Sequence, residues 1–456
     1  MADLENRDLR RVRLSRAFFL AAVLCASVLN PLNSSTISVA LPVLLRHFHA
    51  GPGDLVWLIS AYYFGSALAQ PVFGKLGDQF GYRIFVYLGL AILVVPTVLA
   101  PFAPSFGWLI AWRAVQAIGT SMLFPSAIGL VRQHHDRELG RILGWIGTSV
   151  GVALALGPPL AGGVLALVGW RGIFWLNAPL IAAVAVFLRL GLRDTPASRA
   201  PVRQGVLTAV DLPGIVLLAA SLGLLLAASA IPGDPASLWL LLAGALLVSI
   251  LWTVELRAVA PAFDVRLLRR PAFAVAGAVT VLVNFVMYLV LYGLPSLLEA
   301  GRGLTPLASG FFLLGFAGVL AAVSPLAGRL AQGTRRRGPL LLAGALLVLG
   351  SLSLTQTLVM PLGLVFIPLA LIGVSFALSN VLLQKLALES APATDAGSAS
   401  GLYTLLRYVG TMGSSVAIAA ALPQGRAAAL VLFSLAAFAA LLSTAIAAAV
   451  RDAARL

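Results

Sequence analysis

Charge, cysteine and acid are what this chain has least of. Only 10% of its 456 residues are Asp, Glu, Lys or Arg, while 60% are hydrophobic and the mean hydropathy is +1.00. Soluble domains carry about 25% charge and about 45–50% apolar residues, so a water-soluble class is excluded. The single cysteine, Cys25, excludes an intrachain disulfide and leaves the fold to helix packing in lipid. Four histidines, of which His134 and His135 adjoin Asp136, are too few and too bare for a metal centre, and nothing implies a cofactor. No nucleophile, metal or acid-base cluster converges in the sequence, which excludes an enzyme, and no symmetric polar filter points to a channel.

What is there is apolar helix. A membrane-spanning helix takes about 20 apolar residues, so the composition supplies about thirteen or fourteen of them. Apolar runs bounded by charge, Gly or Pro place fourteen at 17–39, 55–73, 84–103, 107–131, 142–163, 171–190, 211–230, 237–255, 271–294, 305–327, 339–356, 362–383, 398–421 and 427–450. The net charge of +15 lies in alternate loops. Of 31 Lys and Arg residues, 25 fall on one side, Arg46, Arg171, Arg302 and Arg426 on the other, and Arg113 and Arg407 inside spans. That asymmetry predicts both termini in the cytoplasm of a multi-pass inner (cell) membrane protein, and it makes a nucleic-acid partner unnecessary. The apolar stretch after the basic start outruns a signal peptide and reads as the first span. The longest loop, Arg193 to Val210, reads as a linker.

An internal repeat accompanies this pattern. Pro71-Val72-Phe73-Gly74-Lys75-Leu76-Gly77-Asp78 recurs 254 residues later as Pro325-Leu326-Ala327-Gly328-Arg329-Leu330-Ala331-Gln332. Each copy follows the second helix of a six-helix block, giving blocks at 1–192 and 271–456 and a linker at 193–270 with two further helices. Repeats with a site between them near mid-membrane are a design of secondary transporters.

Gly74-Lys75-Leu76-Gly77-Asp78-Gln79-Phe80-Gly81-Tyr82-Arg83 resembles the loop signature of the major facilitator superfamily, G-x-L-a-D-x-x-G-r-[KR]. Its glycines permit a tight turn and close helix approach, and Asp78 and Arg83 are expected to form gating contacts. Leu109 to Gly119, with Arg113 and Gln116, is similar to the fourth-helix pattern of that superfamily, Ala117 replacing one Gly. The run from Gly147 through Gly151 to Gly157-Pro158-Pro159-Leu160-Ala161-Gly162-Gly163 resembles the antiporter motif. Trp170 to Pro179, Glu255 to Phe273 and Ser400 to Gly410 are further matches to the fourteen-span drug:proton antiporter family. The resemblance spans nearly the whole chain. It implies an all-α major facilitator fold of 6+2+6 helices and a monomer that exports amphiphilic small molecules by alternating access. It further implies proton-coupled antiport of the multidrug type, with membrane lipid and protons as the other partners.

One position departs from that pattern. Leu32-Asn33-Ser34-Ser35-Thr36-Ile37 to Pro42 is similar to the first-helix motif, but Asn33 stands where the family has a carboxylate, and asparagine carries no proton. None of the sixteen acids falls near the middle of a span. Coupling therefore has to use a rim carboxylate, Asp54 or Glu299 outside and Asp211 or Glu255 inside, or the substrate's own charge. Arg113 and Arg407 are the full charges expected inside the bundle; each costs about 2.5–3.5 kcal/mol at a helix centre and by default faces a polar cavity. Asn33, Gln116, Asn284 and Tyr288 are taken with them as cavity candidates, joined by Tyr62, Gln70, Tyr292, Asn380 and Tyr403. The missing acid and the two arginines also leave open a facilitator or exchanger of a neutral or anionic solute, without proton coupling. A sensor that transports nothing is the third reading.

Overall fold

A computed structural model describes residues 2–50, 52–135, 138–191, 211–230, 235–258, 261, 263–304, 306–333, 335–392 and 395–450. In lipid a backbone amide has no water to bond to, so each pass has to satisfy its own hydrogen bonds within one helix. The described residues accordingly form helices and no strand. The first six helices are α1 (Ala2–Phe48), α2 (Pro52–Phe80), α3 (Tyr82–Leu99), α4 (Phe106–His135), α5 (Leu139–Val168) and α6 (Arg171–Gly191), the last broken at Leu176. A pair follows, α7 (Leu212–Ala230) and α8 (Pro235–Arg257). The last six are α9 (Pro271–Tyr288, continuing through a widened turn at Leu289–Gly293 into Leu294–Arg302), α10 (Pro306–Gln332), α11 (Arg337–Leu354), α12 (Phe366–Glu389), α13 (Ala396–Ala421) and α14 (Ala428–Ala447).

Among the described residues, eleven of these helices are long and apolar enough to cross a membrane. The other three helices of the order above, α2, α7 and α13, are not among these eleven. The helices outrun the apolar stretches that mark them. α1 extends beyond 17–39 at both ends, and α2 carries the Gly74-to-Phe80 part of the motif that reads as a loop in sequence. Only Gly81 leaves the helix, at φ 93°, a conformation a side chain would strain, with its N–H on the Gly77 carbonyl at 2.9 Å. A methyl at Gly77 would lie 2.5 Å from the Tyr82 ring, so the glycine admits the aromatic that begins α3.

α1 packs on α5 and α6, and α4 on α2 and α3; in the second half α9 packs on α13 and α14, and α12 on α10 and α11. The two halves meet along two crossings, α5 with α10 and α2 with α13. These are the second and fifth helices of each block, so the crossings exchange under the repeat. Apolar surface gains nothing by leaving lipid, and such contacts rest on close packing of small residues. A Cβ at Gly144 would lie 2.8 Å from the Gly328 Cα, and one at Gly151 would lie 2.7 Å from the Ala321 backbone nitrogen. Further toward the other end of α5, Gly162 and Gly163 meet nothing within 4 Å, and neither does Gly318 on α10. The halves thus touch closely from the Arg-rich end to mid-depth.

The apposition of α5 and α10 at the Arg-rich end leaves no space for side chains. Replacing Gly144 by Leu should therefore prevent closure of that end without preventing insertion. Chemical crosslinking of cysteines placed at Arg141 and Arg329 should fall at least about tenfold against the glycine parent, at equal protein levels; unchanged crosslinking would refute the contact.

Candidate functional site

Between the halves, at mid-depth, lies a cavity of about 650 Å³ counting the part open to solvent. The polar groups on its wall are Ser27 and Asn30 from α1, Gln70 from α2, Thr120 from α4, Tyr288 from α9, and Thr404, Arg407 and Tyr408 from α13. Both halves contribute, because each of these helices lines the crossing rather than the lipid.

Tyr408 organises the wall. Its hydroxyl accepts from Asn30 Nδ2 and from Gln70 Nε2, both at 2.9 Å. With both lone pairs engaged, its own O–H is left to donate. Beside it, Arg407 is half-buried. Above these, Tyr292 donates to Tyr63 at 2.9 Å and Tyr63 to Ser34 at 3.0 Å, and the Tyr63 ring lies 5.7 Å from Tyr288 and 5.6 Å from Tyr408. This aromatic cluster joins α2 to α9 and α13 across the cavity.

Arg113 lies behind this wall at 2% exposure. Its guanidinium sits 4.4 Å over the Tyr62 ring and donates to Gln116 Oε1 at 2.9 Å, while Nε has no partner among the described residues. Stacking on a ring and bonding one turn along its own helix offset part of the cost of a charge at that depth. Gln116 keeps Nε2 unpartnered there, and Tyr62 shares a hydrogen bond with Thr120 at 3.0 Å.

The expected residues thus divide. Tyr288, Arg407 and Gln70 reach the cavity, and Arg113 and Gln116 stand one layer behind it. Asn284 is buried, with Nδ2 on the Thr280 carbonyl at 2.9 Å and Oδ1 unpartnered among the described residues, and it is absent from the cavity wall. Asn33 lies against α6 instead, its Oδ1 accepting from Asn177 Nδ2 at 3.0 Å. Asn30, one helical turn earlier, holds the wall position. Asn30, Tyr63 and Tyr408 escaped the sequence reading, although Asn30 shares a helix face with Asn33 and Ser34, and Tyr408 adjoins an intramembrane arginine.

At the Arg-rich end, Asp78 reaches across to the other half. Its Oδ2 accepts from the Ser398 backbone N–H at 2.8 Å and from the Ser398 hydroxyl at 2.6 Å, and Oδ1 accepts from Tyr82. Gly74 is buried in α2, and Arg83 is half-buried at the start of α3. In the second copy, Gly328 packs on Gly140 and Gly144, and Gln332 occupies the place of Asp78, 3.3 Å from where a Gly140 methyl would sit. Arg132 adds a bond to the Ala391 carbonyl at 3.0 Å. Of the antiporter-motif residues, Gly151 packs on α10, Gly157 on Ser35 of α1, and Gly162 faces open space; Pro158 lies within α5, its side chain outside the described residues. Among the described residues no group of His, Cys, Asp and Glu could hold a metal.

Comparison with known proteins agrees with this architecture. The family model for the Major Facilitator Superfamily matches residues 23–415. An uncharacterized MFS-type transporter of Bacillus subtilis, YwoD, is 36% identical over 411 residues, 88% of this chain and 89% of that one. The multidrug resistance protein Stp of Mycobacterium tuberculosis is 29% identical over 84% of this chain and 72% of its own length. The tetracenomycin C resistance and export protein of Streptomyces glaucescens is 29% identical over 87% and 74%. The crystal structure of the human organic anion transporter MFSD10 superposes with a TM-score of 0.64, covering 96% of this chain and 99% of that one at 16% identity, a likeness of fold. A cavity at mid-depth between two related six-helix blocks, a matching family model and these relatives make this chain a multi-pass membrane transporter of the Major Facilitator Superfamily, not an enzyme.

Proposed function

We propose that the chain exports amphiphilic small molecules across the cell membrane by alternating access, its Arg-rich end and both termini facing the cytoplasm. The observation that carries this reading is the mid-depth cavity between the halves, shut off from the Arg-rich end by the Gly144–Gly328 and Asp78–Ser398 contacts. Residues 1–192 and 271–456 are the units that rock, and 193–270 with α7 and α8 links them. The names of the Mycobacterium and Streptomyces relatives, multidrug resistance and export, support an efflux role. Counterflow in proteoliposomes against a panel of amphiphiles tests it, and no stimulated flux for any of them would leave the sensor reading.

A second reading, transport of an anionic solute, is favoured by the donor set. Arg407 and the Tyr408 hydroxyl both offer hydrogen-bond donors to the cavity, and no carboxylate is among its described lining residues. A site of donors without a matching charged acceptor holds an anion and repels a cation.

Two outcomes follow from these assignments. Asp78→Asn weakens the charge-assisted bonds to Ser398; bonds to a charged group contribute about 1.5–3 kcal/mol when buried, and a half-buried one about 1 kcal/mol. A cysteine at Ala399, in a Cys25→Ser chain, should then react about fivefold faster with an impermeant maleimide applied from the Arg-rich side, and equal rates would refute the gate role. Arg407→Gln should lower the flux of an anionic fluorescein dye about tenfold and that of a cationic rhodamine far less, with Arg407→Lys intermediate. Equal losses for both dyes would remove the anionic reading.

A further inference from the structure

The pair α7 and α8 lies outside both six-helix blocks, yet α7 packs on α2 and on α13, the two helices of one crossing. At its Arg-rich end two carboxylates from different helices meet. Asp211 caps α7, its Oδ1 accepting from the Gly214 N–H at 3.0 Å. Glu255, in the last turn of α8, is 0% exposed, and its Oε2 accepts from the Phe263 N–H at 3.1 Å. Both reach over Gly214: a methyl there would lie 2.1 Å from Glu255 Oε1 and 2.8 Å from Asp211 Oδ2. The glycine therefore opens a space that the two acids share.

Among the described residues, Glu255 Oε1 has no hydrogen-bond donor. Two carboxylates facing one another are acceptors only, and like charges in one half-buried space do not both ionise readily. One proton placed between them supplies the missing donor. The other charges at the site are Lys75 of α2, Asp264 before the turn Val265–Arg269, and the exposed Arg257 and Arg266, the latter held by the Leu256 and Ala258 carbonyls. Lys75 donates to the Pro261 carbonyl at 2.6 Å. Burial pulls its ammonium down from the usual lysine range, while Asp211, Glu255 and Asp264 hold it up. Lys75 belongs to the same motif as Asp78, one turn away, whose carboxylate holds Ser398.

We propose that Glu255 and Asp211 form a one-proton site through which the α7–α8 pair controls the gate at the Arg-rich end. With the proton off, the pair gains a second negative charge, draws Lys75 in and steadies the end of α2 against α13. With the proton on, between Glu255 Oε1 and Asp211 Oδ2, that hold weakens and the end opens more readily. Proton binding at the rim then biases which way the cavity faces, which gives an alternating-access carrier a coupling group that Asn33 does not provide. The assignment goes beyond the transport reading and rests on it only for the meaning of the opening.

The test needs no substrate, so its failure is distinguishable from a failure of the transport reading. Full-length protein in lipid nanodiscs is stepped between about pH 5 and about pH 8, a range bracketing a carboxyl shared by two acids, and infrared difference spectra are read for a protonated-carboxyl band. The same protein in a Cys25→Ser background, spin-labelled at Gln133 and Arg335, reports the distance between the halves at the Arg-rich end. The band should be present in the parent and absent in Glu255→Gln and in Asp211→Asn, the second variant guarding against misfolding of the first. The share of the closed distance should rise with pH in the parent and stay flat in Glu255→Gln and Lys75→Gln. A parent without the band, a band that survives Glu255→Gln, or a pH response unchanged in these variants would overturn the assignment.

Discussion

Hydrocarbon gives a backbone amide nothing to bond to except its own helix, and it gives a charge nothing at all. Most of what is seen here descends from those two facts. Because each pass is internally satisfied, the chain changes shape by moving whole helices against one another, and the surfaces that slide have to be smooth. The contacts between α5 and α10 are accordingly glycine against backbone and small side chains, where adhesion comes from close approach. Because charge is costly, almost all of it lies at the ends, and the charges left inside are held by neighbours, as Arg113 is by Tyr62 and Gln116.

The same facts explain what can be read from the sequence. The order of helices was legible because apolar runs are long and the breaks between them are charged. The fold followed from the Gly74-to-Arg83 motif and its copy, whose glycines mark where helices come close. Side-chain direction was not legible. Asn33 and Asn30 sit one turn apart on α1, and only the rotation of that helix decides that Asn30 meets Tyr408 while Asn33 meets Asn177. Tyr408 gave no signal of its own, since a tyrosine in a span is as often packing as function, and its role comes from Asn30 and Gln70, which are 378 and 338 residues away. The end of α2 misled in the opposite direction: a Gly- and charge-rich stretch reads as loop, yet protein contacts from Ser398 and Pro261 satisfy its polar groups and the helix continues to Phe80.

The repeat is kept in shape more faithfully than in chemistry. α2 crosses α13 as α10 crosses α5, but the first crossing carries a carboxylate on Ser398 and the second is glycine packed on small residues, with Gln332 where Asp78 would be. A charged bond responds to solvent, salt and nearby charge, whereas a packed glycine seam does not. The two crossings therefore play different parts. In the proposed cycle the α5–α10 seam would guide the motion, and the α2–α13 contact would set how long the end stays shut.

That division gives a physical reason for α7 and α8 to stand where they do. A pair of helices outside both blocks adds nothing to a seam made of glycine, but its acids can act on a contact made of charge. α7 touches the α2–α13 crossing, and the Lys75 turn of α2 is held by the loop after α8. The wall of the cavity meanwhile presents donors, and the acids of the chain are kept to its rims. On the proposed reading, the groups that would recognise a solute stand apart from the groups that would sense charge at the gate. Asparagine is then tolerable at position 33, where its carboxamide bonds Asn177 and helps fix α1 against α6.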